Sequence, residues 1–300
     1  MIDEIIRLSN RYKALGAAMQ PLRTLRRKWH QRSERASRLL FSRLEKVLVE
    51  DPVVAVAEFQ GTFSMAVRSH LFRRVVQAGE YEPILTARCR DLIDPERDAM
   101  DIGANIGFHT VFFAKHINQR RVVAVEPTRN ALLRLRRNIV QNHVGPKVII
   151  FEGVASNMPG FLDIKTIDGL EEYSTFGALV HPAIVGSRFV TERVEARTLD
   201  QLASEHQLDC GFIKVDTEGV EHLVFEGARE LLASHRPVVV SELSDVLLRR
   251  NGSSALEVVR LFESFDYVVS DPLHPGEQSG FRPFWDIICL PKEHPRARGK

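Results

Sequence analysis

After Pro83, short apolar runs alternate with stretches of helical periodicity along the chain. A strand that is separated from the next by a helix pairs with it in parallel, so this alternation predicts a doubly wound α/β sheet. Two apolar runs near the C-terminus, joined by a loop rich in Pro and Gly, predict an antiparallel hairpin that closes the sheet. The predicted parallel strands are Ala99–Ile102, Val122–Glu126, Val148–Glu152, Phe212–Asp216 and Pro237–Glu242, and the hairpin strands are Tyr267–Ser270 and Trp285–Leu290.

Helices and a second hairpin complete the predicted fold. The spacing of apolar residues along the chain changes from that of a helix to that of a strand and back, and turn residues such as Gln60-Gly61 separate the elements. The predicted helices are Ser69–Ala78, Phe108–His116, Asn130–Asn142 and Val220–Ser234, and the second hairpin pairs Val53–Phe59 with Thr62–Val67.

A glycine-rich turn, Asp101–Gly107, follows the first parallel strand. Ligands of open parallel sheets bind outside the carboxyl ends of the strands, where glycines let the backbone approach them closely. The turn lacks the third glycine of the GxGxxG motif, which seats a pyrophosphate in dinucleotide sites. Asp101 before the turn and Asn105 within it suit a ligand with an ammonium group and no phosphate. The pattern favours S-adenosylmethionine (SAM) over NAD, although such glycines can also serve only to make a tight turn.

An acidic residue, Glu126, ends the next predicted strand. An unpaired carboxylate at the end of a buried apolar strand costs desolvation free energy unless a ligand binds it. Both hydroxyls of a ribose could donate hydrogen bonds to this side chain. The turn and Glu126 together predict an adenosyl pocket and hence a methyltransferase. No convincing Tyr-Lys or His-Asp pair for hydride transfer accompanies them, which disfavours an NAD-dependent oxidoreductase.

A second charged cluster follows the fourth predicted strand in the segment Ile213–Glu221. Lys214, Asp216 and Glu218 alternate, so their side chains should point to one side. Methyl transfer to a hydroxyl requires alignment of the oxygen and removal of its proton, and a carboxylate can do both. Two other interpretations remain open. The cluster could be a structural ion pair, or Asp216 and Glu218 could hold one magnesium ion together with Glu242.

Composition narrows the class of protein. A hydrophobic content of 44% with 27% charged residues is typical of a folded domain and argues against disorder. No apolar run reaches the roughly 18 residues of a membrane span, and charges near the N-terminus argue against a signal peptide. We therefore expect a cytoplasmic protein. The widely spaced Cys89, Cys210 and Cys289 predict neither disulfides nor a zinc site, and we assign no metal ligands.

The N-terminal segment differs from the rest of the chain. Residues 1–46 contain twelve Lys or Arg and four Asp or Glu in a helical pattern that Pro21 interrupts and Pro52 ends. We predict a basic helical extension over residues 1–50 and a catalytic domain over residues 51–300. The extension could form a homodimer or contact an anionic membrane surface. Few aromatic residues lie among its arginines, so we do not expect nucleic acid as a partner.

The motifs resemble those of the FkbM-type SAM-dependent methyltransferases. The resemblance includes residues 79–83, DIGANIGFHT over residues 101–110, VEP over residues 125–127, Thr198-Leu199-Asp200, IKVDTEGVE over residues 213–221, and Glu242. It implies a class I methyltransferase fold, Rossmann-like, with SAM as cofactor. Departures are Asn157, where the family commonly has Asp, and His109, where an aromatic or small residue is frequent.

The resemblance also implies roles for individual residues. Asp101, Gly103, Asn105 and Gly107 look like the methionine side of the SAM site, Glu126 like the ribose acid, and residues 154–156 like the adenine edge. The cofactor-binding residues implied in this way are Glu82, Asp101, Gly103, Ala104, Asn105, Gly107, Glu126, Pro127, Val154, Ser156 and Asp216. The residues implied on the acceptor side are Asp216, Glu218 and Glu221, to which we add His109, either as a general base or as a helix residue that lines the pocket.

These observations predict O-methylation of a hydroxyl on a sugar, glycolipid or secondary metabolite. The acceptor is then a small molecule or a glycan, and the loops at residues 169–190 and 271–282 could form its walls. Asp216 or Glu218 is expected to orient and deprotonate the acceptor. The alternative is a SAM-binding scaffold without methyl transfer that acts as an interaction protein through its basic extension.

Overall fold

The computed structural model describes residues 40–48, 50–166, 190–272 and 284–297. The chain divides into two compact units, Met1–Glu50 and Asp51–Lys300. In the first unit residues 40–47 are helical, and the predicted helices before them lie outside the described residues. The same holds for most of the two loops proposed as acceptor walls. No helix in the described ranges is both long enough and apolar enough to cross a membrane.

The second unit alternates strands and helices as predicted. Its described strands are β1 Val53–Val56, β2 Gly61–Ser64, β3 Asp98–Ile102, β4 Val122–Val125, β5 Val148–Phe151, β6 Gly153–Ala155, β7 Gly160–Thr166, β8 Val190–Arg197, β9 Cys210–Val215, β10 Val238–Ser244, β11 Tyr267–Ser270 and β12 Phe284–Pro291. Its described α-helices are α1 His70–Ala78, α2 Pro83–Leu92, α3 Phe108–His116, α4 Arg129–Gln141, α5 Leu199–Glu205, α6 Glu221–Glu226, α7 Asp245–Arg250 and α8 Ala255–Ser264.

A seven-stranded sheet in the order β11-β12-β10-β9-β3-β4-β5 forms the centre of this unit. Strand β12 is antiparallel to β10 and β11, and the other neighbouring strands are parallel. From β3 the chain continues outward through β4 and β5, and it then returns to the other side of β3 with β9 and β10. The strand order therefore reverses between β3 and β9. This is the predicted doubly wound class I methyltransferase fold with a C-terminal antiparallel hairpin.

A small sheet in the order β6-β8-β7 was not predicted. Its two longer strands carry many charged side chains, and only a few apolar ones, such as Ile164 and Ala196, turn inward to a small core. Because most side chains on β7 and β8 are exposed or half-buried, the apolar signal of these strands is weak.

The prediction of one continuous helix over Val220–Ser234 is wrong, because the helix is interrupted after Glu226. Helix α6 ends at Glu226, and Leu231–His235 forms a separate π-helical turn. The backbone N–H of Asp200 donates to the carbonyl of Gly227, and the Asp200 carboxylate accepts from the N–H groups of Glu230 and Leu231. Asp200, which is distant in sequence, thus caps the start of a new helical segment. The local spacing of apolar residues cannot reveal such a contact.

Apolar packing on both faces of the sheet fixes the strands. On one face, Leu202, Phe225 and Phe262 pack with strand residues in the main core. Near helix α3 an aromatic cluster includes Phe59, whose ring stacks on Phe108 at a centroid distance of 4.9 Å. The large buried rings remove much apolar area from water and hold the start of α3 against the β1–β2 hairpin.

A buried asparagine attaches the same hairpin to the glycine-rich turn. Asn138 on α4 accepts a hydrogen bond from the N–H of Ser64 at 2.7 Å and donates to the carbonyl of Ile106 at 2.8 Å. Its side chain is fully buried, so replacing it by an apolar residue would leave these backbone groups unpaired. Both ends of the turn are therefore held by the fold.

Candidate active site

A cavity of about 300 Å³ opens at the carboxyl ends of the central strands, where the strand order reverses. Its walls come from the turn after β3, the end of β4, the segment after β9 and the end of β10, with further residues from α1, the segment before α2, the start of α3 and the small sheet. The predicted site residues that line it are Glu82, Gly103, Ala104, Asn105, His109, Glu126, Pro127, Val154, Asp216 and Glu218.

The glycine-rich turn touches both neighbouring strands. The N–H groups of Gly103 and Ala104 both donate to the carbonyl of Val125 at 3.0 Å. Gly103 has a φ of +80°, and a Cβ atom placed there would lie 1.9 Å from the backbone oxygen of Asp216. Only glycine can occupy such a position without moving the backbone. The turn is therefore wedged between the end of β4 and the end of β9.

Glu126 faces the cavity with a fixed carboxylate. One oxygen accepts from the backbone N–H of Asn105 at 2.8 Å, and the other accepts from the N–H and hydroxyl of Thr128 at 2.8 and 2.6 Å. Burial raises the pKa of Glu126 to about 6, and these hydrogen bonds oppose the rise. The side chain is thus ionised near neutral pH and held in one orientation, as a ribose-binding acid requires.

Asp101 does not line the cavity. It is buried below the turn, where the Thr110 hydroxyl donates to its Oδ2 at 2.5 Å, and its Oδ1 has no hydrogen-bond partner among the described residues. Burial raises the pKa of Asp101, and the charge of Lys214 opposes that rise. A direct contact with the cofactor therefore stays a prediction for this residue, and its place beside Lys214 gives it a second, electrostatic role.

The buried cation of the site is Lys214. Its Nζ lies 3.0 Å from Oδ2 of Asp216, which confirms an ion pair between these two residues. Burial acts to lower the pKa of Lys214, but the charges of Asp216, Asp101 and Glu82 outweigh it and raise that pKa. Asp216 also lines the cavity, so the ion pair does not exclude a role toward a ligand.

Three acids lie side by side across the edge of the sheet. Glu242 is directly opposite Asp286 in the β10–β12 pair, and Ser241 is opposite Val215 in the β10–β9 pair, so one further step brings Glu242 level with Asp216. We call Asp216, Glu242 and Asp286 the acid row. Glu242 lines the cavity. The charge of Asp216, partial burial of the carboxyl and the charge of Asp286 together raise the pKa of Glu242 to about 8, although the residue as a whole is exposed toward the cavity.

The rest of the acid row shows the same crowding. Burial, followed by the charges of Glu82 and Asp216, raises the pKa of Asp286 to about 6. Burial also raises the pKa of Glu82, against the opposing charge of Lys214. Like charges this close cannot all be ionised at neutral pH, because each ionised carboxylate disfavours the next.

Glu221 and Glu218 have different positions. Glu221 is buried outside the cavity wall, and its Oε1 accepts from the N–H of Gly219 at 2.9 Å and from the N–H and hydroxyl of Thr217 at 3.2 Å. It thereby braces the turn, and burial raises its pKa to about 7. Glu218 has a φ of +56° and lines the cavity. Of these two predicted acceptor-side residues, only Glu218 is placed to touch a ligand in the cavity.

His109 lines the cavity from the first turn of α3. Its ring contacts Phe59 edge-on at 5.0 Å, and its Nε2 lies 4.0 Å from Oε2 of Glu82. Burial lowers the pKa of His109 well below its ordinary value, so the ring is neutral at pH 7 and a weak base. These features agree better with a lining residue than with a general base.

Two more predicted residues lie behind the wall. Gly107 is the N-cap of α3, with a φ of +91°, and a Cβ atom there would meet Leu135 at 2.5 Å. Ser156 is buried, and its N–H donates to the carbonyl of Arg197. Val154, two residues before Ser156, reaches the cavity instead. Gly107 and Ser156 therefore do not line the cavity, and they affect its shape only by fixing the backbone next to it.

Strand β12 contributes Asp286, whose charge acts on Glu242, and the sequence patterns did not predict this contribution. Asp286 stands within an apolar run, and such an acid was a signal of a ligand or charge partner, but its cross-strand position opposite Glu242 depends on sheet pairing. Arg74, whose guanidinium lies 4.9 Å above the Tyr81 ring, also lines the cavity and was missed. Within the described ranges, no group of three or more His, Cys, Asp or Glu is arranged to hold a metal ion.

The described residues fit SAM as a ligand. The cofactor carries a sulfonium and an ammonium group, so a cavity with an excess of carboxylates attracts it. The cavity presents Glu82, Glu126, Asp216, Glu218 and Glu242 against Lys214 and Arg74. Glu126 offers a fixed acceptor for the ribose, and the backbone of the turn permits close approach. The cavity is therefore complementary in charge and in hydrogen bonding.

Comparison with known proteins gives the family. Residues 101–269, more than half of the chain, match the family described as Methyltransferase FkbM domain. No curated protein matches the chain.

Three solved structures with a similar fold are distant from this chain in sequence. An O-methyltransferase from Bacillus cereus, in complex with SAH, is 14% identical over 85% of this chain and 97% of its own, with a TM-score of 0.42. Precorrin-6y C5,15-methyltransferase from Geobacter metallireducens is 12% identical over 70% and 88%, with a TM-score of 0.40. A putative methyltransferase from Streptococcus mutans, in complex with SAH, is 10% identical over 67% and 92%, with a TM-score of 0.38.

Proposed function

The chain belongs to the FkbM methyltransferase family and is a SAM-dependent methyltransferase, and from that premise we propose that it methylates a hydroxyl group of a sugar, a glycolipid or a secondary metabolite. The observation that carries the proposal is the wall of carboxylates beside the glycine-rich turn. Asp216, Glu218 and Glu242 all line the cavity. A hydroxyl must lose its proton as it is methylated, and a carboxylate in contact with it can accept that proton.

The cofactor half of the cavity consists of the turn from Gly103 to Gly107 together with Glu126. In our proposal Glu126 accepts hydrogen bonds from the ribose, and the backbone of Gly103 and Ala104 lies along the amino-acid part of SAM. Bound SAM supplies an electrophilic methyl group. The protein has no covalent chemistry of its own to perform, and it contributes alignment, exclusion of water and a proton acceptor.

The acceptor half is the opposite wall, which Asp216, Glu218 and Glu242 form. In our proposal Asp216 and Glu218 orient the acceptor hydroxyl. Asp216 is held in place by Lys214, and Glu218 follows it on the exit turn that Glu221 braces. Because both carboxylates have fixed supports, they can hold a hydroxyl in one position for in-line attack.

The direct test is methyl transfer from isotopically labelled SAM to a panel of monosaccharides, a glycolipid and hydroxylated metabolites. We expect label in a product that resists mild base, as a methyl ether does. Label in a base-labile methyl ester, or in a methylated amine retained on a cation exchanger, would show that the acceptor atom is not a hydroxyl oxygen.

The residue assignment is tested with Glu218→Gln. We expect this variant to bind SAM with near-normal affinity in calorimetry and to lose most turnover, because the change removes the charge and keeps the size. Glu263→Gln on the exposed surface of α8 is the matched control and should keep full turnover. Full turnover in Glu218→Gln would remove this residue from the proposal.

A further inference from the structure

The acid row holds more negative charge than its surroundings balance. Glu242 faces the other two members of the row, Asp216 and Asp286, on the neighbouring strands β9 and β12. Glu82 at the start of α2 and the cation Lys214 on β9 also act on it. Full ionisation would place four carboxylates around one lysine. Even with Arg74, which also acts on Glu82, the net charge would be about −2, and this is unfavourable in a partly buried site, so the group retains a proton at neutral pH.

The contacts of each acid indicate where that proton is. Asp216 is ion-paired with Lys214, with 3.0 Å between Oδ2 and Nζ. Glu82 is hydrogen-bonded to Tyr81 and is also stabilised as an anion by Lys214. Glu242 has no cation in contact among the described residues, and it has an acid on each side. Its pKa is raised to about 8, compared with about 6 for Asp286 on the neighbouring strand.

The proposed ligand of this cavity, SAM, is positively charged. Its binding can therefore be linked to loss of the proton that the acid row retains. A positive charge within about 5 Å of a carboxylate, at an effective dielectric constant of about 20, lowers its pKa by about two units. SAM carries a sulfonium, an ammonium and a carboxylate group, with a net charge of +1, whereas the demethylated product S-adenosylhomocysteine lacks the sulfonium charge and has a net charge of zero. Binding of SAM therefore supplies the positive charge that the acid row lacks.

We propose that Glu242 carries the proton of the acid row in the free protein and releases it when SAM binds, so that cofactor binding itself prepares a carboxylate able to receive the acceptor's proton. This inference rests on the proposed function, because it takes SAM as the ligand of the cavity. It goes beyond that function by assigning the proton acceptor to Glu242 and by making its ionisation depend on the cofactor. The arrangement keeps the base neutral until a methyl donor is present.

Calorimetric titration of SAM into the full-length protein at pH 7.0, in phosphate and in Tris, tests the proposal without any acceptor. The two buffers differ in ionisation enthalpy, so the difference in heat gives the number of protons released. We expect the wild type to release close to one proton more than Glu242→Gln does. The comparison of variants cancels protons that come from SAM itself. Glu263→Gln should release as many protons as the wild type.

The pH dependence of affinity gives a second readout. With a pKa of about 8 in the free protein and about 6 in the complex, linkage predicts that SAM binds the wild type about fivefold more weakly at pH 7 than at pH 8. Glu242→Gln should change less than twofold over the same interval. S-adenosylhomocysteine, which lacks the sulfonium charge, should release fewer protons than SAM from the wild type.

Three results would overturn the inference. Equal proton release from the wild type and Glu242→Gln would place the proton on another group. SAM binding without proton release in the wild type would show that the row is not protonated or does not sense the ligand. Absence of any binding heat or thermal shift with SAM would contradict the proposed function itself, and that outcome is distinct from the other two.

Discussion

The two walls of the cavity are stabilised in opposite ways. On the β4 side, the Glu126 carboxylate has hydrogen bonds on both oxygens, and the turn from Gly103 to Gly107 is held by backbone contacts. On the β10 side, acids stand next to acids, with Lys214 as their shared cation. The first wall is complete before the ligand arrives, whereas the second lacks positive charge until the ligand supplies it.

This difference corresponds to two tasks. A binding wall gains affinity from preorganisation, because little ordering remains to be done when the ligand enters. A reacting wall needs groups whose pKa lies near the working pH, and crowding of like charges provides this at a cost in stability. Mutations on the two sides should therefore differ in sign as well as in size.

The largest effect is expected where the two walls meet, at Gly103. In Gly103→Ala the new Cβ atom would lie 1.9 Å from the Asp216 carbonyl oxygen, so the backbone must move. We expect a loss of about 4 kcal/mol or more in the free energy of unfolding and loss of SAM binding. Gly79→Ala is the matched control, with a φ of +75° and open space around it. Denaturant unfolding measures the loss of stability. An equal loss in both variants would show that the close contact between Gly103 and the Asp216 carbonyl is not the cause.

Removal of the shared cation, Lys214, should have the second largest effect on stability. Lys214→Met leaves Asp216, Asp101 and Glu82 without their buried partner, which we expect to cost about 3–5 kcal/mol at pH 7.5. Part of this loss should be recovered at pH 6, where the acids take up protons. Thermal melting checks both statements, with Lys165→Met on the exposed face of β7 as control. A melting temperature unchanged from the wild type would refute the account of the acid row.

Truncation on the binding wall should weaken affinity with a smaller effect on the fold. For Glu126→Ala we expect the dissociation constant of SAM to rise about 100-fold, since hydrogen bonds to a charged group contribute about 1.5–3 kcal/mol. Glu126→Gln keeps the size of the side chain and should lose about tenfold. Near-normal affinity of Glu126→Ala in calorimetry would contradict the ribose assignment.

The smallest expected effect is that of Glu242→Gln, which should raise the melting temperature. The folded-state pKa of Glu242, about 8, lies above the ordinary 4.5, so its contribution to stability is present at low pH and is lost as the pH rises through 8. We expect Glu242→Gln to melt like the wild type at pH 4, where the carboxyl is protonated in both states, and about 2–4 °C higher at pH 9, allowing for screening by water in the cavity. A lower melting temperature at pH 9 would show that the ionised carboxylate stabilises the fold.

Sequence reasoning was most successful for the binding wall. The turn at Gly103 and the strand end at Glu126 are local motifs, and the alternation of strands and helices gave the order of the parallel sheet. The family assignment and the cofactor followed from those motifs. The same local reasoning failed at Gly227, where Asp200 interrupts a helix from 27 residues away.

The reacting wall depends on pairing between distant strands. Asp286 reaches Glu242 only because β12 inserts between β10 and β11, and no pattern within either strand encodes that register. Likewise, sequence periodicity indicated that Lys214, Asp216 and Glu218 share a side, but it could not show that the charges of Asp216 and Asp286 raise the pKa of Glu242.

The central claim is that one wall binds the nucleoside of SAM and the other, charge-deficient wall faces the reacting atoms. A crystal structure with S-adenosylhomocysteine tests it most directly. The account predicts the ribose hydroxyls within hydrogen-bond distance of Glu126 and the sulfur closer to Glu242 and Asp216 than to Glu126. A ribose away from Glu126, or a sulfur that points away from the acid row, would contradict it.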